Sequence, residues 1–233
     1  MKNQLKVYER LFCNTPDIEP INSRKLRLFW MKVKNKIENR LNEFKKIWSG
    51  GSEEDIFAEL VFCLFTPQSK AVSCGEAVRI LSNKGLLIKG DSKNISKEIN
   101  IVRFRNNKAK YLVEARNKFY LNSKLKIKEK ISSFLDVFEL RDWLVENIKG
   151  LGFKEASHFL RNVGFGKDFA ILDRHILKNI KRLNVINSIP KTISKKTYLK
   201  IEEKMKKFAK KVEIPLDHLD LLFWSMETGE IFK

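Results

Sequence analysis

Apolar residues recur every three or four positions along most of this chain, which is the spacing of one face of an α-helix. In residues 24–47 the apolar set comprises Leu26, Leu28, Phe29, Val33, Ile37, Leu41, Phe44 and Ile47. The same spacing predicts helices over residues 53–65, 70–83, 107–121, 136–148, 154–163, 174–183, 196–212 and 215–227. The pattern therefore predicts an all-α fold.

Signals for helix ends agree with this pattern. Ser52 precedes three acidic residues, as an N-cap does, and the helix over 53–65 is apolar on nearly every side, which indicates burial. The stretch 66–69, Thr-Pro-Gln-Ser, predicts a loop, and Gly229 stands where a C-terminal cap is expected. We expect two helical lobes, one formed by residues 53–150 and the other by residues 1–52 plus 151–233.

The net charge narrows the range of partners. Lysine and arginine number 47 against 28 acidic residues, a formal charge of +19. Such an excess repels itself unless a polyanion neutralises it, so nucleic acid is the leading partner. A basic protein of membrane surfaces and a merely lysine-rich protein are the alternatives. No run approaches the ~18 apolar residues of a membrane span, and we expect no membrane partner.

The three cysteines, Cys13, Cys63 and Cys74, form no C-x-x-C pair and no metal-ligand spacing. Their number is odd, and the chain opens on the polar segment MKNQLKVYERLF without a signal peptide. A reducing cytoplasm is the expected location.

Residues 146–156, Glu-Asn-Ile-Lys-Gly-Leu-Gly-Phe-Lys-Glu-Ala, predict two helices joined by a tight turn. Gly150 and Gly152 permit positive φ and close approach of another backbone, and Leu151 can fill the space between the helices. The first amides of the second helix then point outward beside the positive end of its dipole, where a DNA phosphate can bind. A Gly-x-Gly alone is most often an ordinary turn, so the neighbouring residues matter.

Lys154 and Asp173 are those neighbours, separated by 19 positions. Together with the glycines they resemble the hairpin and following aspartate of the helix-hairpin-helix DNA glycosylase superfamily. Because no cysteine follows Cys74, the branches with an iron–sulfur cluster do not fit. The run 154–164, the segment Leu-Asp-Leu-Leu-Phe-Trp at 219–224 and the end at Lys233 resemble the type-2 8-oxoguanine DNA glycosylases.

This resemblance implies a bifunctional DNA glycosylase and AP lyase that flips 8-oxoguanine out of duplex DNA. Lys154 is then the nucleophile. Its unprotonated amine attacks the sugar C1′, expels the base and forms a Schiff base, after which the 3′ phosphate leaves by β-elimination. Asp173 is expected to stabilise the positive charge that develops on the sugar and also to cap the next helix.

Further roles follow partly from the same resemblance and partly from residue type and position. For recognition of the base we expect Lys233 with its terminal carboxylate, Trp224 as a stacking residue, Asp220 on the same helix face, and Phe104 as a second stacking residue. For DNA contact we expect Gly150, Gly152, His175 and, in the hole left by the flipped base, Gln68. The basic run Arg103, Arg105, Lys108 and Lys110 is expected either to hold phosphates or to form a solvated face.

No cofactor is expected, apart from a monovalent cation, Na⁺ or K⁺, on the backbone carbonyls of Lys149, Gly150 and Leu151. The expected partner is double-stranded DNA with a damaged base, and we expect a monomer in a prokaryotic cytoplasm, associated with the nucleoid. Two alternatives remain. One is a glycosylase of the superfamily that removes other damaged bases. The other is a non-catalytic hairpin module, which binds DNA backbone and has no need of Lys154 and Asp173.

Overall fold

The computed structural model describes residues 22–231, and the helices within them confirm the all-α prediction. Their bounds are α1 Ser23–Gly50, α2 Glu53–Phe65, α3 Ala71–Asn83, α4 Leu86–Lys89, α5 Ser92–Glu98, α6 Arg105–Lys118, α7 Ile127–Ser132, α8 Val137–Asn147, α9 Phe153–Asn162, α10 Arg174–Arg182, α11 Lys195–Val212 and α12 Leu216–Thr228. Two short antiparallel strands, β1 Tyr120–Leu121 and β2 Lys124–Leu125, lie between α6 and α7.

Most predicted helices recur within a few residues, and the differences have local causes. The predicted helix over 107–121 ends at Lys118, because Tyr120–Leu121 pairs with Lys124–Leu125 instead. Helices α4, α5 and α7 were not predicted, since helices of four to seven residues are too short to show a period.

The described residues form two compact units. The central unit comprises residues 43–166, and the terminal unit comprises residues 22–42 plus 167–231. This division differs from the predicted lobes, which placed residues 43–52 and 151–166 outside the central lobe. Residues 151–166 include α9. The reason is that α9 packs against α2 and α8, so the helix that carries Lys154 belongs to the central unit.

The central unit is built around α2, which contacts α3, α6, α7 and α9. Nine consecutive or near-consecutive side chains of α2 are buried: Ile56, Phe57, Glu59, Leu60, Val61, Phe62, Cys63, Leu64 and Phe65. The predicted cap at Ser52 is present, since its hydroxyl accepts the Asp55 amide while the Asp55 carboxylate accepts the Ser52 amide. A helix buried on all sides gives its neighbours a fixed support.

In the terminal unit, α12 packs against both α10 and α11. Its buried side chains include Leu219, Leu222 and Phe223. The segment before α10 is tied to α11 by polar contacts, because the Ala170 amide donates to Glu202 Oε1 at 2.9 Å. Gly229 ends α12 with φ 79°, as predicted for a C-terminal cap.

Candidate active site

The turn between α8 and α9 requires glycine at only one of its two glycine positions. Gly150 has φ 92°, and a Cβ there would lie 2.6 Å from Tyr111 Cδ2. Gly152 has φ −97° and ψ −176°, an extended conformation open to any residue. The prediction of a glycine-dependent turn is therefore correct for Gly150, whereas the backbone conformation of Gly152 does not need glycine. Leu151 between them is buried, as expected.

The start of α9 is partly open. Gly152 supplies no side-chain cap, and its amide donates to Glu155 Oε2 at 3.2 Å. Within residues 22–231, the amides of Lys154 and Glu155 donate no hydrogen bond. Two of the expected outward amides are thus available to an anion, while a glutamate side chain occupies the Gly152 amide.

Lys154 is the second residue of α9, and its side chain is 24% exposed. Its Nζ donates to Thr66 Oγ1 at 3.2 Å and lies 3.0 Å from Glu155 Oε1. The Thr66 hydroxyl donates in turn to the carbonyl of Cys63 at 2.8 Å. This chain of contacts fixes the amine while leaving part of it accessible, which is what a nucleophile needs. Thr66 and Glu155 lie in segments that the sequence pattern singled out, but their contacts with Lys154 were not predicted, because such contacts depend on the folded chain.

Lys108 corrects one prediction. It was expected to hold a phosphate, but it is only 4% exposed, and its Nζ donates to the carbonyls of Phe65 and Pro67 and to Ser69 Oγ. Burial lowers its pKa to about 8, an effect that the charge of Lys154 reinforces and that of Glu155 opposes. A buried ammonium with three internal acceptors does not contact a phosphate.

Cys74 lies beside this ammonium and completes the same cluster. Its Sγ donates to the Phe65 carbonyl at 3.2 Å. Burial raises the pKa of the thiol to about 11, against the opposing charges of Lys108 and Lys154. The thiol is therefore neutral at physiological pH and is not a nucleophile.

Gln68 and Phe104 lie on two neighbouring loops of the central unit, and both adopt positive φ, 55° and 58°. The loops are joined by Ser69, whose hydroxyl accepts the Arg103 amide at 3.1 Å. Gln68 is exposed, and Phe104 is 53% exposed with the Arg103 guanidinium 5.5 Å from its ring centroid. Left-handed backbone at non-glycine residues is costly and tends to cluster at functional sites. The exposed positions agree with, but do not test, the predicted contacts of both residues with DNA.

Asp173 lies in the terminal unit as the N-cap of α10, as predicted. Its Oδ1 accepts the amides of His175 and Ile176, both at 2.8 Å. Within the described part of the chain, Oδ2 accepts no hydrogen bond. The cap holds the carboxylate in a fixed orientation with one oxygen left over for another partner.

Trp224 and His175 contact each other on facing helices of the terminal unit. Their rings meet edge to face with centroids 5.1 Å apart, and Trp224 is half-buried. His175 Nδ1 lies 3.9 Å from Glu227, and its Nε2 accepts from Arg174 Nε at 3.3 Å. His175 thus orders the surroundings of Trp224, while its expected contact with DNA stays a prediction.

Glu227 joins α12 to α10. Its carboxylate lies 2.9 Å from Lys178 Nζ and 2.8 Å from Arg182 Nη1, and it accepts from Asn179 Nδ2 at 3.2 Å. Burial opposes its ionisation, but these cations and hydrogen bonds outweigh burial, so the pKa of Glu227 lies below its usual value. No sequence pattern had indicated this cluster.

Asp220 and Lys233 are the remaining predicted base contacts. Asp220 is buried on α12, four residues before Trp224 as its sequence position implies. Lys233 lies outside the described residues.

Residues 22–231 contain no group of three or more histidine, cysteine or acidic side chains arranged to hold a metal ion. In the same range, no helix combines the length and the apolar character that crossing a bilayer requires.

Comparison with known proteins shows to which family the chain belongs. A family model described as 8-oxoguanine DNA glycosylase matches residues 37–214, which include the hairpin, Lys154 and Asp173. The chain belongs to the 8-oxoguanine DNA glycosylase family. The matched residues end before α12, the helix that carries Trp224.

Individual members of the family resemble the chain over most of its length. The 8-oxoguanine DNA glycosylase/AP lyase of Fusobacterium nucleatum is 48% identical over 204 residues, covering 88% of this chain and 94% of that protein. The crystal structure of the 8-oxoguanine DNA glycosylase of Thermotoga maritima matches with a TM-score of 0.77 and 35% identity, covering 91% of this chain and 98% of that one.

A third relative was solved with DNA. The Methanocaldococcus jannaschii 8-oxoguanine glycosylase/lyase, in complex with a 15mer DNA containing 8-oxoguanine, matches with a TM-score of 0.78 and 35% identity. The match covers 89% of this chain and 99% of that one.

Proposed function

We propose that this chain excises 8-oxoguanine from double-stranded DNA and cleaves the strand at the abasic site, with Lys154 as the nucleophile. The observation that carries the proposal is the Lys154 amine, part-exposed at the open start of α9 and held by Thr66. Relatives of the same family bear the name 8-oxoguanine DNA glycosylase/AP lyase, and one was solved with DNA that contains the lesion.

The Lys154 amine needs a free electron pair to attack C1′ of the damaged nucleotide. Donation of one N–H to Thr66 Oγ1 orients the nitrogen without using that pair. Glu155 Oε1, 3.0 Å away, can receive the proton that the amine must lose. Attack breaks the glycosidic bond and leads to an imine with the opened sugar. The imine makes the C2′ protons acidic, so the 3′ phosphate leaves by β-elimination.

Asp173 supplies negative charge for the first step, in which the glycosidic bond breaks. Its Oδ1 is engaged by two amides of α10, which fixes the carboxylate before any substrate arrives. A preorganised anion stabilises positive charge on the sugar without a cost of reorganisation as the base departs. We assign it this role and not that of a nucleophile.

The hairpin of α8 and α9 grips the DNA backbone in this proposal. The amides of Lys154 and Glu155 offer donors to a phosphate at the positive end of the helix dipole. Within residues 22–231 the carbonyl oxygens of Lys149, Gly150 and Leu151 accept no hydrogen bond, which suits them to hold a Na⁺ or K⁺ ion. Such a cation would add positive charge beside the phosphate.

In this proposal, aromatic side chains recognise the flipped base by stacking on it. Trp224, held edge to face by His175, and the exposed ring of Phe104 are the stacking residues that we propose. Lys233 and Asp220 are proposed to contact the edge of the base. Gln68, exposed at the tip of its turn, is proposed to fill the space that the base leaves in the duplex.

Borohydride trapping on a panel of single-lesion duplexes tests the function. The panel contains 8-oxoguanine, an abasic site, an alkylated base and an oxidised pyrimidine. We expect a covalent complex with the 8-oxoguanine and abasic duplexes, because reduction captures the imine of Lys154. Lys154→Gln should abolish trapping and excision, since an amide cannot form an imine.

Lys93→Gln is the matched control, because Lys93 is an exposed lysine of α5 in the same unit. It should trap as the wild-type protein does. Trapping by Lys154→Gln would refute the assignment of the nucleophile. Trapping only on the duplexes with the alkylated base or the oxidised pyrimidine would refute 8-oxoguanine as the substrate. DNA binding without trapping on any duplex would indicate a non-catalytic hairpin module.

A further inference from the structure

The turn after α2 holds a backbone conformation that its residues do not favour. The Ser69 amide donates to the Thr66 carbonyl at 3.1 Å, Pro67 stands second in the turn, and Gln68 stands third with φ 55°. Proline second and positive φ third are typical of a type II turn, in which glycine favours the third position. A glutamine there carries a steric cost, so contacts from outside the turn must hold it in place.

Lys108 supplies those contacts. It ends the first turn of α6, and its Nζ donates to the carbonyl of Phe65 at 2.6 Å, the carbonyl of Pro67 at 2.8 Å and the hydroxyl of Ser69 at 3.0 Å. An ammonium has three N–H donors, and here all three donate to the turn or to the last residue of α2 before it. The same Ser69 hydroxyl accepts the Arg103 amide, which ties the turn to the loop of Phe104.

The turn itself also contacts Lys154, the proposed nucleophile. Thr66 Oγ1, at its first position, accepts the hydrogen bond from Lys154 Nζ. We infer that Lys108 is a positioning residue for this reaction: by fixing residues 66–69 it holds the Thr66 hydroxyl that orients the Lys154 amine. This inference rests on the proposed function, in which Lys154 is the nucleophile.

Helix α6 provides a matched comparison in Arg116. This residue is also buried, and its guanidinium donates to the carbonyls of Leu87 at 3.2 Å and Gly90 at 2.8 Å. It therefore binds a different loop in the way that Lys108 binds the turn. The loop that it binds makes no contact with Lys154 in the described part of the chain.

Two variants, Lys108→Met and Arg116→Met, separate positioning from general stability. Each replaces a buried cation by an uncharged side chain of similar length and removes the hydrogen bonds that the cation donates to two backbone carbonyls. We expect both to lower the thermal midpoint. Hydrogen exchange of the free protein, followed by mass spectrometry, should show faster exchange over residues 66–70 in Lys108→Met. In Arg116→Met the faster exchange should fall over residues 86–91 instead.

Single-turnover kinetics then measure the consequence for the reaction. With saturating protein, Lys108→Met should slow both excision of 8-oxoguanine and borohydride trapping at a preformed abasic site by about tenfold or more, because misplacement of a reacting group by an ångström is that costly. Arg116→Met should stay within about threefold of the wild-type rates. The Kd for duplex DNA should change little in either variant, since neither side chain reaches the surface.

Equal rate losses in the two variants, or wild-type rates in Lys108→Met, would overturn the inference. So would slow excision with normal trapping, because Lys154 would then be unaffected. If Lys108→Met does not fold, Ser69→Ala removes one acceptor of the ammonium and should give a smaller loss of the same kind. Failure of the proposed function would appear separately, as absence of excision and trapping by the wild-type protein. In that case the exchange pattern still decides whether Lys108 fixes the turn.

Discussion

The N-cap of α9 is Gly152, which has no side chain to accept the first amides of the helix. The N-cap of α10 is Asp173, whose carboxylate accepts two amides. The first start leaves the amides of Lys154 and Glu155 available and places a part-exposed amine beside them. The second start is closed, and its cap is an anion held in one orientation. Two helix starts with the same backbone thus serve opposite purposes. In the proposed reaction, the open start binds a phosphate and presents the nucleophile, while the capped start fixes a counter-charge.

Removing only the charge of the α10 cap should slow the reaction strongly without unfolding the helix. Asparagine caps helices about as well as aspartate, so Asp173→Asn should leave the thermal midpoint nearly unchanged. The rate of 8-oxoguanine excision under single turnover should fall about 100-fold or more, because a preorganised charge no longer faces the sugar. Asp91→Asn is the control, since Asp91 caps α5 with the same chemistry. A normal rate in Asp173→Asn would show that this charge has no part in the reaction.

Replacing each of the two hairpin glycines by alanine should show that the turn between α8 and α9 requires glycine at position 150 and not at position 152. Gly150→Ala strains a left-handed residue and drives its Cβ into Tyr111, and we expect a loss of about 2–4 kcal/mol in the free energy of unfolding. Gly152→Ala should cost less than about 1 kcal/mol, because its conformation is extended. Urea denaturation measures both. Gly85→Ala, with φ 65° and no atom within 4 Å of the added Cβ, isolates the strain from the clash.

The anchoring of α10 to α12 can be tested through pH. Glu227→Gln should lower stability at pH 7 by about 1–2 kcal/mol, because Lys178 and Arg182 lose their shared anion. The folded pKa of Glu227 lies below its unfolded value of about 4.3, so its stabilisation is complete above that pH and is lost as the pH falls further. Urea denaturation of wild type and variant should therefore converge at acid pH. Glu203→Gln, an exposed acid of α11, should show no such convergence.

The smallest effect concerns the acid at the open start. Glu155→Gln keeps a side-chain acceptor for the Gly152 amide but removes negative charge from the place where a phosphate binds. We expect undamaged duplex DNA to bind about two- to fivefold more tightly, the size of a charge effect at a helix end. Fluorescence anisotropy at fixed salt gives the Kd, and Glu54→Gln, in the first turn of α2, is the control. Weaker binding in Glu155→Gln would mean that this helix start does not bind a phosphate.

Helix positions and the hairpin were predictable because their signals are local. A period of three to four residues predicts a helix wherever it extends over several turns, and α2, α3 and α8 to α12 follow it closely. The resemblance that identified Lys154 and Asp173 rests on the residues around them and on the distance between them in sequence. The cap at Asp173 is likewise a local signal, since the capping residue contacts amides two and three positions later.

The tertiary structure decided which charges face water. In sequence, Lys108 is one of four basic residues in a short run, yet packing of α6 against α2 buries it beside two carbonyls more than forty residues away. Thr66 and Lys154 meet across 88 positions, and Glu227 meets Lys178 across 49. Desolvation and hydrogen bonding depend on what packs around a side chain and not on its neighbours in the chain. For this reason the sequence determined the helices and suggested which residues react, while the folded chain determined what holds those residues in place.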